Sequence, residues 1–505
     1  MSVIFYLSIG ILSIILLVLF DYVNNFQFYK DGDKLPGPKA YPIIGNAHFF
    51  LGMDVIAAHE KLLEIAEEYA SPFRGWLGNQ LFIIIHEPDQ MKTILTSPKS
   101  MGKASLYRLL RPWLGNALLL APVPMWRVHR KLIQPAFSLQ ILRKFVHIFD
   151  KHSKSMVKKM EEELDGGEFE VRSYLVPFSL NVALEASMGL SETFDPKMYA
   201  EFGVCVDRVF ELIMQRGFRP WLHPDKIFNL TKMSNDFYRS IKGMHRISHT
   251  IIAKKKNEFE KHGEVKKDKI KNQREGFLEL LLDLQDKQKF SDQQICDEVN
   301  FMVMAAYDTV SVGLQFALLM LAHHPDVQEK VYQELKHIYG DVIPENVLIT
   351  IDDLREMRYT ERMIQESMRL FPPVAFVLRK VEEDLDVGGY TMPKGCTAFC
   401  SIAKIHRDEK YWPDPLKFDP DRFLPEEVAK RNPYCYLPFS GGPRNCIGSL
   451  HAIMEMKTAL ARILLKFIIR KKHIEPIKNI RQKAEIISHP LKPIKIEIVR
   501  RLPKT

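Results

Sequence analysis

Apolar residues first run without interruption and then recur at helical spacing. Residues 3–20 carry no charge. At about 1.5 Å per residue such a run, with Tyr22 and Val23 added, covers most of a roughly 30 Å hydrocarbon layer. It predicts a transmembrane anchor over residues 1–24. No basic segment precedes the run and no small-residue cleavage site follows it, which argues against a removed signal peptide. Residues 25–46 then collect Pro36, Pro38 and Pro42 with Gly37 and Gly45. Each proline restricts its own backbone and that of the residue before it, so the anchor must end at a hinge. The body, residues 47–505, shows helical apolar spacing over 54–69, 142–163, 180–188, 198–217 and 233–259. Residues 73–76 and 80–86 read as strands joined around Gly78 and Asn79, and the period-two stretch 494–498 as another. The longest helical pattern opens with the capping box Ser291/Gln294 and runs about 48 Å to Ala322, before His323, His324 and Pro325 stop it. The expected fold class is mainly α with a minor β-sheet, as one large domain behind an N-terminal anchor.

Composition narrows the setting. An apolar content of 46% with 26% charged residues is that of a globular protein with a sizeable core. A net charge of +9 suggests attraction to lipid headgroups, acidic protein partners or nucleic acid. No nucleic-acid motif accompanies the charge, so nucleic acid is not expected. The six cysteines show no paired spacings, which fits a reducing compartment. The first lysines, Lys30, Lys34 and Lys39, follow the apolar run and leave the body on the cytosolic side. No arginine precedes Arg74, which argues against a mitochondrial presequence. The lysine-rich residues 254–274 read as a solvated loop without chemistry.

Four constellations carry candidate chemistry. Cys446 lies in a loop with Gly441, Gly442, Pro443 and Gly448 that opens into a helix, whose positive amino end favours thiolate. Nucleophile, redox thiol, zinc ligand and axial haem ligand all fit such a cysteine. The lack of a CxxC pair or of clustered ligands argues against zinc and dithiol chemistry and leaves an axial thiolate open. In the long helix, Met302, Ala305, Ala306, Thr309 and Gly313 form a face of small residues that a flat ligand or a neighbouring helix could approach. Asp308 and Thr309 place an acid and a hydroxyl at the level of that face, a pair able to pass protons. Trp126 and Arg130 share a helix face and suit a carboxylate. Glu366 and Arg369, three apart, form a helix pair that would mean little on a surface.

Phe439, Gly442, Arg444, Cys446 and Gly448 together resemble the ligand loop of the cytochrome P450 family, FxxGxRxCxG. Four further stretches fall in the family's order. Trp126/Arg130 resembles WxxxR, Glu366/Arg369 resembles ExxR, and Arg422 with Phe423 resembles PxRF. The stretch through Asp308 and Thr309 is similar to (A/G)Gx(D/E)T(T/S), with Ala306 in place of the usual glycine and Val310 in place of the second hydroxyl residue. The likeness covers essentially the whole chain and is nearest to family four, the fatty-acid hydroxylase branch with many insect members. It implies haem b with Cys446 as axial thiolate, its propionates held by Trp126, Arg130, Arg379 and Arg444. It implies a buried cluster of Glu366, Arg369 and Arg422 locking the ligand loop, and proton delivery by Asp308 and Thr309. The implied reaction inserts one atom of O2 into a small apolar substrate, with electrons from NADPH–cytochrome P450 reductase and a role open to cytochrome b5. The implied location is the endoplasmic reticulum membrane. Many family-four members carry a haem-linked glutamate where this chain has Ala305, so non-covalent haem is expected. Other haem-thiolate readings are an isomerase or dehydratase needing no reductase, and a silent haem-binding protein. Residues 101–124, 202–221, 374–378 and 486–490 are the expected pocket-lining loops. Arg127, Lys131 and Lys457 are the expected cations for docking an acidic flavin domain.

Overall fold

A computed structural model describes residues 2–190, 196–261, 276–340, 347–483 and 485–501. The fold is predominantly helical with small sheets, as expected. Helix α1, Ser2–Asn24, presents Phe5, Ile9, Leu12, Ile15, Leu16, Leu19 and Phe20 outward rather than into a core. A short helix, Phe26–Gly32, follows inside the stretch read as hinge, and the prolines begin after it. Helix α2, Val55–Glu68, starts where Asp54 Oδ1 accepts from the Ala57 amide at 2.8 Å. Strands β1, Phe73–Leu77, and β2, Gln80–Ile85, pair antiparallel around Gly78.

Helix α3 spans Val123–Ile133 with Pro124 inside its first turn, where a missing amide donor costs no helical bond. Helices α4, Leu139–Met160, and α5, Arg172–Val182, follow; α5 begins earlier than the apolar spacing predicted and continues into a π-helical turn, Ala183–Ser187. Helices α6, Pro196–Gly217, and α7, Lys232–Lys261, are longer. The lysine-rich run is therefore not all loop. Residues 254–261 complete α7, and Lys255 is buried with its ammonium 2.9 Å from Glu279. Its aliphatic stem packs while the charged head stays paired, which a residue-by-residue count of lysines does not register. Residues 262–274 of that run lie outside the described residues.

Helix α8, Asp292–His323, is the axis of the body. Ser291 and Gln294 form the capping box, with the Gln294 amide donating to Ser291 Oγ at 3.3 Å and the Ser291 amide donating to Gln294 Oε1 at 2.8 Å. By length and composition α8 could cross a membrane, yet nearly all of it is buried inside the protein. Helices α4 to α7 lie to one side in the chain and α9, Arg358–Leu370, and α10, Ser449–Lys466, to the other; α5, α7, α9 and α10 pack directly on α8. A second core lies under the sheet. Strands β3, Phe376–Lys380, and β4, Thr397–Ser401, complete the order β1-β2-β4-β3, with β4 parallel to β2 and antiparallel to β3. Strands β5, Phe467–Arg470, and β6, Lys495–Arg500, pair antiparallel beside α10, and Phe169–Glu170 adds a third strand on β6.

Candidate functional site

The loop before α10 is held by backbone contacts on both sides of its cysteine. The Cys446 amide donates to the Phe439 carbonyl at 3.0 Å, and the Asn445 amide donates to the Gly442 carbonyl at 3.1 Å. Gly442 has φ 69°, and a Cβ there would lie 1.9 Å from the Leu95 carbonyl oxygen. The residue must be glycine on both counts. Gly448 caps α10 at φ −96° and uses no left-handed conformation, while Ser440, at φ 58°, does.

Cys446 is an accessible free thiol in a densely packed surrounding. Burial pushes its thiol pKa up; the Gly448 amide and the Arg130 charge pull the other way without overcoming it. The helix end alone therefore does not make the thiolate, and a bound cation would be needed to complete it. Arg130 donates from both terminal nitrogens to Asn445, at 3.0 Å to its carbonyl and 3.0 Å to its side-chain oxygen, so α3 clasps the loop one residue before the sulfur.

Three cations converge nearby. The Arg444 guanidinium lies 4.5 Å from the Trp126 ring and donates from Nη2 to the Ala121 carbonyl at 2.9 Å, while its buried Nε and Nη1 have no partner among the described residues. Arg379, on β3, is 1% exposed and its one hydrogen bond runs to the neighbouring Leu378 carbonyl. Lys103, which sequence reasoning passed over, lies in the same charged field. Burial, then Arg379 and Arg444, push its ammonium pKa well down, and burial followed by Arg379 lowers Arg444 to about 10. Buried like charges with orphaned donors are costly unless an anion joins them. A rigid group bearing carboxylates, such as a haem with two propionates, satisfies that chemistry, and the thiol supplies a metal ligand on the same loop. The residues present fit the group.

A carboxylate cluster supports the loop from behind. Arg369 forks onto Glu366 at 2.7 and 2.8 Å, both residues being fully buried. Arg422 approaches Glu366 at 3.5 Å and donates to the Asp414 carbonyl at 3.0 Å. Arg369 also donates to the carbonyl of His406, whose Nε2 accepts from the Leu437 amide at 2.7 Å. His406 was not legible as part of this site. Its ring bridges the cluster to the first residues of the ligand loop and stays neutral, because burial and then the Arg369 charge push its pKa down to about 3.

On α8, Thr309 donates its hydroxyl to the Ala305 carbonyl at 2.9 Å, while Asp308 points elsewhere, to His489 Nε2 at 3.0 Å. The two neighbours thus diverge on the helix instead of forming one polar pair. Ala305, Ala306 and Thr309 are partly exposed amid otherwise buried residues. His129, on α3, lies 3.0 Å from buried Glu298 and fixes α3 against α8. Lys457 is not a free surface cation: it is buried and bonded to Glu361 and to the Leu354 carbonyl. Arg127 and Lys131 are exposed and line a recess of about 530 Å³ with Trp126 and Phe137.

Comparison with known proteins agrees with this geometry. The family model described as Cytochrome P450 matches residues 35–498. The chain is 33% identical over 508 residues to "Cytochrome P450 4c21" of Blattella germanica, covering 99% of this chain and 100% of that one. It is 33% identical over 472 residues to "Cytochrome P450 4V2" of Homo sapiens, covering 92% and 89%, and 30% identical over 510 residues to "Cytochrome P450 4g1" of Drosophila melanogaster, covering 94% and 90%. With the ligand loop, the orphaned cation cluster and a match running nearly end to end, the chain belongs to the cytochrome P450 family of monooxygenase oxidoreductases.

Proposed function

We propose that this protein is a microsomal monooxygenase of the fatty-acid-hydroxylating kind, held to the endoplasmic reticulum by α1 and reduced by NADPH–cytochrome P450 reductase. The observation that carries the reading is the buried cluster of Lys103, Arg379 and Arg444, with Arg444 two residues along the same loop from the accessible Cys446 thiol. Cys446 would hold the haem iron, and Trp126, Arg130, Arg379 and Arg444, with Lys103 added, would hold or neutralise the propionates. When bound, the haem supplies the site that activates O2, with the thiolate donating electron density to favour O–O cleavage. The chain's own part is to exclude water with the small face of α8, to orient the substrate with apolar loops, and to bring protons through Asp308 and Thr309.

Ala305 carries no carboxylate and cannot form an ester to the haem, so the group would be held without a covalent link to that position. Denaturing chromatography of turned-over enzyme is expected to separate haem absorbance from the polypeptide; co-elution would contradict it. Docking of the reductase would use exposed Arg127 and Lys131 at the recess beside α3, and its rate should fall with salt. Cytochrome b5 would compete for that same basic face. The exposed apolar face of α1 supports the anchor, and its deletion should shift the protein from alkali-resistant membrane pellets to the supernatant. Substrate class is tested by a binding-spectrum screen against fatty acids, terpenoids and sterols, followed by NADPH oxidation in the presence of reductase. Turnover of a fatty acid supports the reading; spectral change with a sterol or terpenoid alone would replace it, and product formation without reductase would favour an isomerase.

A further inference from the structure

Asp308 is fully buried, so the route by which a proton reaches it must pass through protein. Its Oδ1 lies 3.0 Å from His489 Nε2, and its Oδ2 has no hydrogen-bond partner. The other ring nitrogen of His489 lies 3.0 Å from Glu485 Oε2, and Glu485 retains 7% exposure. Thr309 is engaged with the Ala305 carbonyl and does not touch this arrangement. Among the described residues, His489 is the one titratable side chain hydrogen-bonded to Asp308. It sits in a loop that is tied back to the Pro-Pro turn after α9, where the Ser488 amide donates to the Pro373 carbonyl at 2.8 Å.

The surroundings favour a charged imidazole. Burial alone would lower its pKa, but Asp308, Glu485 and Asp207 outweigh burial and push it up to about 10. Asp207, on α6, is itself paired with Arg172 of α5 at 2.8 Å, and Tyr307 turns a buried, unpartnered hydroxyl into the same region. The groups facing His489 are therefore Asp308 and Tyr307 from α8, Asp207 from α6, Arg172 from α5 and Glu485 from its own loop.

We propose that His489 is a positioning residue that loads Asp308 with the proton it delivers during oxygen activation, and that Glu485 admits protons to His489 from solvent. This rests on the reading of Asp308 and Thr309 as proton-delivery residues given above. In the loading step the His489 Nε2–H bond breaks and an Asp308 Oδ1–H bond forms. Imidazolium and carboxylate become imidazole and carboxylic acid, with no electrons moved and no change in the pair's net charge. Asp308 then passes the proton on and returns to carboxylate; the neutral ring turns over so that its bare nitrogen faces Glu485 and its remaining N–H faces Asp308, and one solvent proton carried by Glu485 restores the imidazolium. The pair rests as imidazolium and carboxylate, so the exchange runs uphill and is drawn forward only as Asp308 passes its proton on.

The test uses the full-length holoenzyme with NADPH and the flavoprotein reductase, and needs no identified substrate. Oxygen consumed is partitioned between hydrogen peroxide and reduction beyond peroxide. NADPH oxidation is compared in H2O and D2O, from mildly acid to mildly alkaline pH. In His489→Gln the ratio of oxygen reduced beyond peroxide to oxygen released as peroxide should fall about a hundred-fold, the lower end of what one step of acid catalysis contributes, and the solvent isotope effect should grow. Glu485→Gln should lower the ratio less at acid pH than at alkaline pH. A second readout is the pH dependence of unfolding. A folded pKa above the unfolded value of about 6.5 means that wild type holds its full advantage over His489→Gln below that pH and loses it as pH rises toward about 10. A ratio within about two-fold of wild type, with only the stability difference changed, would reduce His489 to an ion-pair role and overturn the proposal. If His489→Gln fails to fold, Glu485→Gln decides on the same ratio and its pH dependence. Asp308→Asn separates the two claims: an unchanged ratio there refutes the role of Asp308 itself, whereas a fall that His489→Gln does not share refutes only the loading by His489.

Discussion

At Gly442 the backbone is left-handed and a carbonyl oxygen occupies the place of a side chain, so Gly442→Ala must both strain the loop and displace Leu95. The expected cost is about 2–4 kcal/mol, read as a lower urea midpoint with an unchanged slope. Gly448→Ala is the control. Its backbone lies at φ −96° and the nearest atom to an added Cβ is 4.0 Å away, so the loss of a glycine cap should cost at most about 1 kcal/mol in the same experiment. Equal losses at the two positions would show that the loop does not depend on the Leu95 contact. The ligand-loop residues were legible because their spacing is local. His489 was not, since it meets Asp308 across 181 positions of sequence. Lys103 was missed for the same reason: a lone lysine gains meaning only when β3 and the ligand loop bring Arg379 and Arg444 to it.

The helix α9 shows how an ordinary local spacing acquires weight from burial. Glu366 and Arg369 are three apart, as in many surface pairs worth under about 1 kcal/mol. Here both are fully buried, and Glu366 also accepts from the Asp419 amide at 2.9 Å. Glu366→Gln keeps the shape but leaves the Arg369 guanidinium buried without its anion. The expected loss is about 3–5 kcal/mol of unfolding free energy, together with poor haem retention, because the chain Glu366–Arg369–His406–Leu437 tethers the ligand loop. A loss below about 1 kcal/mol would mean that the cluster is not tightly coupled to the fold. Element types and most element positions were legible from apolar periodicity, which carried α7 to within two residues of its end, but the exposure of charged residues was not. Helix α7 continues through the lysine-rich residues 254–261 because Lys255 finds Glu279, and Lys457 of α10 is buried because Glu361 meets it from α9. In both cases a tertiary partner, invisible to periodicity, reversed the exposure that a charged residue suggests.

For the whole molecule, buried histidines set the acid limit of stability. Burial pushes the pKa of His406 down to about 3 and those of His323 and His451 down to about 4, so all three stay neutral when folded and charge when unfolded. Each lowered value means that the unfolded chain binds more protons below about 6.5, and stability falls as pH drops from there toward about 4. Three such groups alone would give a limiting slope of roughly 4 kcal/mol per pH unit, partly offset by Glu455, whose buried carboxyl is pushed well up and gains stability as pH falls; urea titrations at successive pH values would measure the net slope. A flat profile between pH 6.5 and 5 would contradict the neutral assignment.

The long helix α8, the loop before α10 and the cations Lys103, Arg379 and Arg444 come together only in the folded chain, and the function proposed for them is to hold one cofactor through one sulfur. The most direct test of that claim is the absorption spectrum of the dithionite-reduced carbon monoxide complex, for wild type and for Cys446→His. Wild type is expected to show the far red-shifted Soret band of thiolate ligation, and Cys446→His to bind haem with the band at the shorter wavelength of imidazole ligation. An unchanged red-shifted band in Cys446→His, or none in correctly folded, haem-loaded wild type, would contradict the assignment of Cys446 as the iron ligand.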